Sequence, residues 1–112
     1  MAVNVKVLIP AKIAENTQVT QYIAQNVSAI IDKFTATNYS AAAATISVNL
    51  VTAAGSAGND NLIVKTKTLQ AGETYTFPEI VGQILAPSGF ISTIAGTASA
   101  VNIRASGRQV TQ

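Results

Sequence analysis

Apolar and polar residues alternate with period two along most of this chain, and that pattern predicts strands. In VNVKVLI (3–9), Val3, Val5 and Val7 share one face while Asn4 and Lys6 share the other. ATISVNLV (44–51) sets Ile46, Val48 and Leu50 against Ser47 and Asn49. AVNIRAS (100–106) sets Val101, Ile103 and Ala105 against Asn102, Arg104 and Ser106. Further strands are expected in TQVTQYIA (17–24), SAIIDKFTATN (28–38), LIVKTKTL (62–69), TYTF (74–77) and FISTIAG (90–96), all rich in Thr, Val and Ile. GSAGNDN (55–61), QAGET (70–74) and PSG (87–89) punctuate them with turn chemistry. Short alternating strands at this spacing predict an all-β fold, an antiparallel β-sandwich of about eight strands, jelly-roll-like or Ig-like. The expected core is Ile46, Val48, Leu50, Ile63, Phe77, Ile91, Val101 and Ile103.

Three stretches interrupt the pattern. In AIIDKFTA (29–36), strict alternation puts Asp32 on one face with Ile30, Phe34 and Ala36. Burying that carboxylate unpaired would cost several kcal/mol, so either a bulge near Asp32–Lys33 resets the phase, which is the favoured expectation, or Asp32 accepts internal hydrogen bonds. The four alanines Ala41–Ala44 would suit a helix by propensity, but four residues cannot nucleate one. Asn38 and Ser40 favour turn hydrogen bonds to nearby backbone. NYSAAA (38–43) is therefore expected to connect a hairpin, with Ala43–Ala44 entering the next strand. PEIVGQIL (78–85) has apolar residues at helical spacing behind a Pro-Glu start, which predicts about one helical turn or else a short buried strand.

The chain has 112 residues, the size of one domain, and the sandwich is expected to span 1–112 with an N-terminal arm over 1–16. Charged residues make up 11%, against about 25% in ordinary globular domains. The seven Lys and Arg are scattered, which argues against nucleic acid as a partner, because counterion release needs clustered cations. No apolar run approaches the roughly 18 residues of a membrane span, so no membrane partner is expected. The N-terminal run is interrupted by Pro10 and does not read as a signal peptide. His and Cys are absent, which removes the common triads, thiol nucleophiles and zinc sites. Asp60 alone in GSAGNDN falls short of a calcium loop. No catalytic residue, cofactor or metal site is expected, and the chain reads as a protein other than an enzyme. A surface of Thr, Ser, Asn and Gln costs less to desolvate than a charged one, and low charge favours association.

Three stretches carry a resemblance to a known class: IIDKFTATNYSAAAATISVNLV (30–51), NLIVKTKTLQAGETYTFPEIVGQIL (61–85) and GFISTIAGTASAVNIRASGRQV (89–110). Together they resemble small virion structural proteins of tailed bacteriophages. In those chains a strand ends in an Asn-x-Ser turn, a Gly-Glu-Thr-Tyr turn leads to a Pro-Glu-apolar-Val-Gly segment, and a late strand ends in Ser-Gly-Arg. The resemblance implies a virion component assembled in a bacterial host cytoplasm, with a capsid cement or decoration protein as the leading role. Such a protein would bridge and stabilise major capsid subunits. Its partners would be the major capsid protein and copies of itself, as dimers or trimers. A tail or head–tail (fibre-associated) component is the alternative. A sugar- or receptor-binding module using Tyr22, Tyr39 or Tyr75 is a third reading.

Candidate interface residues fall in three groups. The first is the apolar arm Val3, Val5, Val7 and Ile9, stopped by Pro10 and fit to pair with a neighbouring sheet edge. The second is Asn38, Tyr39, Ser40, Ala41, Ala42 and Ala43. The third is Ser56, Asn59 and Asp60 in the glycine-rich tip.

Overall fold

The period-two segments form nine antiparallel strands in the computed structural model, which describes residues 2–111. They are β1 (Val3–Ile13), β2 (Val19–Ile23), β3 (Val27–Asn38), β4 (Ala44–Val51), β5 (Leu62–Leu69), β6 (Thr74–Thr76), β7 (Ile84–Leu85), β8 (Phe90–Ala95) and β9 (Val101–Thr111). One sheet has the order β1-β9-β3-β6, with β7 also paired to β3; the other has the order β2-β8-β4-β5. The chain crosses from sheet to sheet at most connections, and this is the double Greek-key weave of a jelly roll. β6 and β7 pair with different stretches of β3, near Ala36 and Ala29, so together they act as one interrupted strand.

The inner faces bury Phe34, Phe77, Ile9, Ile31, Ile46, Leu69, Ile80, Ile91, Ile103, Val48 and Val101 completely or nearly so. Two expected core positions differ. Ile63 is 37% exposed, because Val48 opposite selects Val64 as the inward residue and the next side chain must point out. Leu50 lies against the core only partly buried, at the end of β4.

The expected bulge is present. Between Ile31 and Lys33 the β3–β9 register slips by one residue, so Asp32 turns outward while Ile31 and Phe34 both stay in the core. Gly107 lies in the middle of β9, between Lys6 of β1 and Ile31 of β3. PEIVGQIL forms neither a helix nor a continuous strand. Ile80 and Val81 N–H groups both donate to the Phe77 carbonyl, at 3.1 and 3.2 Å, making a turn that buries Ile80 and hands over to β7.

The 38–43 connection is not a hairpin. β3 and β4 belong to different sheets, so the segment arches across the end of the sandwich. Asn38 is its clasp: its Oδ1 accepts from the Ser40 N–H (2.9 Å) and Oγ (2.7 Å), and its Nδ2 donates to the carbonyls of Ala42 (2.8 Å) and Leu69 (2.9 Å). With Asn38 fully buried, Asn38→Ala strands several of these partners and should cost about 2 kcal/mol in chemical denaturation. A change below about 0.5 kcal/mol would show that the arch does not depend on the clasp.

β1 is an edge strand of the sandwich and not a detached arm. Its second half supplies Leu8 and Ile9 to the core, and Ala14 just beyond it is also buried. At its end Lys12 Nζ pairs with Glu15 at 2.8 Å, and Gln21 Nε2 donates to the same carboxylate at 2.9 Å. The Lys12 hydrogen bond first, then that of Gln21, pulls the Glu15 carboxyl from 4.5 down to about 2. A folded-state value below the unfolded one means that the stabilisation is present above pH 4.5 and disappears as pH falls toward 2. Glu15→Gln should therefore lower the melting temperature at neutral pH, by a gap that shrinks as pH falls through about 2 and closes below it. An undiminished gap in acid would exclude this origin.

Candidate assembly surface

Strand β1 changes character along its length. Leu8 and Ile9 enter the core, whereas every residue from Ala2 to Val7 is exposed. Register fixes the direction of the valines. Val3, Val5 and Val7 lie opposite Val110, Arg108 and Ser106, the outward-facing set of β9. Their exposures are 57%, 88% and 40%. A register slip between Val7 and Ile9 then turns the strand so that Leu8 and Ile9 both point inward. Ile9 is thereby removed from the candidate interface: it is fully buried.

The exposed valines continue into a row across the outer face. Val5 opposes Arg108, Arg108 opposes Ile30, and Ile30 opposes Ile84, which is 66% exposed. In the middle of this row Arg108 grips Asp32 with two hydrogen bonds, Nε to Oδ2 and Nη2 to Oδ1, both 2.9 Å. The guanidinium holds the Asp32 carboxyl below its ordinary value, and the carboxylate raises that of Arg108 in return. The outward turn of Asp32 at the bulge makes this pair possible. This pair neutralises its own charges, while Lys33, opposite Ser106, and Arg104, opposite Thr35, stand exposed on the same outer face. Beside them lies an open depression of about 330 Å³ lined by Val5, Lys6, Val7, Asp32, Ser106 and Gly107.

The other candidates do not join this face. The 38–43 arch precedes β4 and the 52–61 loop follows it, so the two lie at opposite ends of that strand. In the arch, Tyr39 is 51% exposed and Ala41, Ala42 and Ala43 are exposed, with Ser40 half-buried. Asn38 is withdrawn from the interface set, because its amide is buried and fully engaged by the arch and by the Leu69 carbonyl of β5. Ser56, Asn59 and Asp60 are exposed on the β4–β5 hairpin, whose loop is held from below. There Asn49 Nδ2 donates to Asn61 Oδ1 (2.7 Å) and the Gly58 carbonyl (3.0 Å), and Asn61 Nδ2 donates to the Ser56 carbonyl (2.9 Å). Ile30 and Ile84 were missing from the candidates. Their outward direction depends on the bulge and on pairing with β7, which no local pattern displays.

The three tyrosines stand on separate elements. The Tyr22 hydroxyl accepts from Gln109 Nε2 at 2.6 Å, and Tyr75 lies edge-on to Phe77 at 4.8 Å with the Lys67 ammonium 4.4 Å above its ring. Tyr39 alone of the three is exposed. Among the described residues, no three His, Cys, Asp or Glu side chains come together. Among them, too, no helix is long and apolar enough to cross a membrane.

No protein-family model matches the chain, and no curated protein matches it. Among solved structures it is similar to Bacillus endospore appendages, described as a novel family of disulfide-linked pili. The likeness has a TM-score of 0.51 at 12% identity and covers 97% of this chain and 88% of the other. At that identity the likeness is one of fold. The disulfides in that description have no counterpart here, because this chain has no cysteine.

Proposed function

We propose that this protein is a structural subunit that acts by docking within a larger assembly, as a cement or decoration protein on the capsid of a tailed phage. The observation that carries the docking role is the exposed apolar row of Val3, Val5, Val7 and Ile84 around a self-neutralised Arg108–Asp32 pair. Around the valines and Ile84 such a face gains from leaving water, since the Arg108 and Asp32 charges within the row are already paired. The phage setting rests on the resemblance carried by residues 30–110. The partners are then the major capsid protein and further copies of this chain. Binding to assembled subunits stabilises the shell by linkage, and repetition over a symmetric lattice multiplies weak contacts into a large sum. No reaction is assigned to the chain.

A second reading is a subunit that assembles only with itself, as a filament or appendage. The likeness to a pilus structure over nearly the whole chain favours it. Any such assembly would be held without covalent links between cysteines. The tail or head–tail role is the third possibility.

The experiment compares phage particles with and without the protein during heating. The cement role requires a lower rupture temperature for particles that lack it, and copies spread over the shell in an electron-microscopy map. Equal rupture temperatures, or density confined to the tail vertex, would remove that role. Fibres formed by the purified chain alone would favour the second reading.

A further inference from the structure

Two sheets present four edges, and three of them are protected against pairing. β2 is five residues long with a register slip between Thr20 and Tyr22. β5 carries Lys65 and Lys67, register slips against β4, and Thr66 at φ 43°. The edge formed by β6 and β7 is cut into pieces of three and two residues. Even the second half of β1 is interrupted, by Pro10 and two register slips. Short strands, lysines, bulges and proline are the devices that keep sheet edges from joining. Val3–Val7 runs in unbroken register with β9 and contains no proline, and its one lysine, Lys6, lies on the strand face opposite the valines.

The hydrogen-bonding groups on this stretch point to the open side. The Thr111 N–H donates to the Ala2 carbonyl at 2.9 Å, so Ala2 belongs to the set that faces β9. Backbone alternation then turns Ala2, Asn4 and Lys6 toward β9, and the N–H and C=O groups of Val3, Val5 and Val7 toward the free edge. A strand that offers both its backbone groups and exposed valine side chains is a template for another strand.

We propose that the occupant is the same stretch of a second copy, antiparallel, across a two-fold axis at Val5. This deepens the assembly reading above and rests on it only in treating the chain as a subunit. In this register Val5 meets Val5 of the second copy, Val3 meets Val7, and Lys6 meets Asn4. Valine faces valine at each outward position, and no like charges are opposed. An axis at Lys6 would set the two lysines directly against each other, which is destabilising. An axis at Asn4 would leave Val3 with Val5 as the only valine pairs. The Val5 axis also satisfies the free backbone groups of all three valines. The five-stranded sheets of two copies then become one continuous sheet, and the rows Val5–Arg108–Ile30–Ile84 run on from copy to copy. The interface is isologous and closed, so it yields a dimer and not a fibre.

The natural absence of cysteine makes the test direct. In the purified full chain, Val5→Cys should form an interchain disulfide on mild oxidation. Directly opposed residues lie about 5.5 Å apart between Cα atoms, within bridging range. Lys6→Cys should not, because two residues of offset puts those positions about 8 Å apart. The unaltered chain should show twice the monomer mass by light scattering. Val5→Lys should return the mass to that of a monomer with an unchanged β-sheet circular dichroism spectrum, since Val5 is 88% exposed and carries no core contact. A monomeric unaltered chain, cross-linking of Lys6→Cys in place of Val5→Cys, or a dimeric Val5→Lys would each overturn the pairing. A monomer found in phage particles would overturn it while leaving the assembly reading intact. A dimer absent from particles would do the reverse.

Discussion

Gly107→Ala is expected to cost the fold more than about 4 kcal/mol, the largest effect of any single substitution considered for this chain. Gly107 lies in mid-strand between β1 and β3, opposite the slip at Asp32. The bulge presses β3 so close that a Cβ at Gly107 would overlap the carbonyl oxygen of Ile30 and sit 3.2 Å from the Asp32 nitrogen. Both obstacles are backbone atoms, which cannot swing aside as a side chain can. Relief requires β9 to part from β3, the longest pairing in the molecule. A loss of this size takes from about a quarter to nearly all of the roughly 5–15 kcal/mol that holds a domain of ordinary stability. Gly96→Ala provides the contrast. Its Cβ would meet Thr45 Oγ1, a side-chain atom that a χ1 change can move, so the cost there is smaller than at Gly107. Equilibrium denaturation of the two variants measures the difference. A Gly107→Ala protein within about 1 kcal/mol of the unaltered chain would mean that the bulge relaxes freely. The Asp32–Arg108 pair would then lose its structural cause.

Phe34→Ala should destabilise by about 3–5 kcal/mol, through the lost transfer energy and the cavity left behind. Phe34 is fully buried and meets Phe77 edge-to-face, with ring centroids 5.2 Å apart and planes at 85°. Phe77 in turn meets Tyr75 at 4.8 Å and 81°. The cluster joins β3 to the end of the interrupted β6–β7 edge, so its loss should loosen that edge first. Phe34→Leu, which refills much of the space, should lose less than half as much. Urea denaturation with an unchanged m-value would confine the effect to stability. A Phe34→Ala loss under about 1 kcal/mol would show that neighbouring side chains collapse into the space.

Much of the fold is legible in local sequence. Alternation marks nearly every strand, because a strand with one buried face must repeat every two residues. The bulge is legible at Asp32 because strict alternation there would bury a carboxylate, and a register slip avoids that cost. The candidate surface is legible only in part. Val3, Val5 and Val7 stand out as an apolar stripe, yet the same stripe would suit an inner face. Ile9 continues the spacing and still lies in the core, because the slip beside Leu8 reverses the phase.

The strands, their class and the turn-rich breaks follow from the sequence by itself. Each depends on residues within a few positions of one another. The tertiary structure alone decided which strands are neighbours, and with that which face of each is wet. Asn38 looks like a turn residue in isolation, but whether its turn closes a hairpin or arches between sheets depends on where β4 finds partners. Those partners are β8 and β5, from later in the chain. In LIVKTKTL either phase satisfies the local pattern, and Val48 across the ladder makes Val64 the buried residue and Ile63 the exposed one. Ile30 and Ile84 meet only because β7 returns to β3 after a chain excursion of some fifty residues. A pattern of period two specifies two faces and leaves open which one is covered. Only contacts between distant segments choose, since burial is a property of the neighbours that arrive.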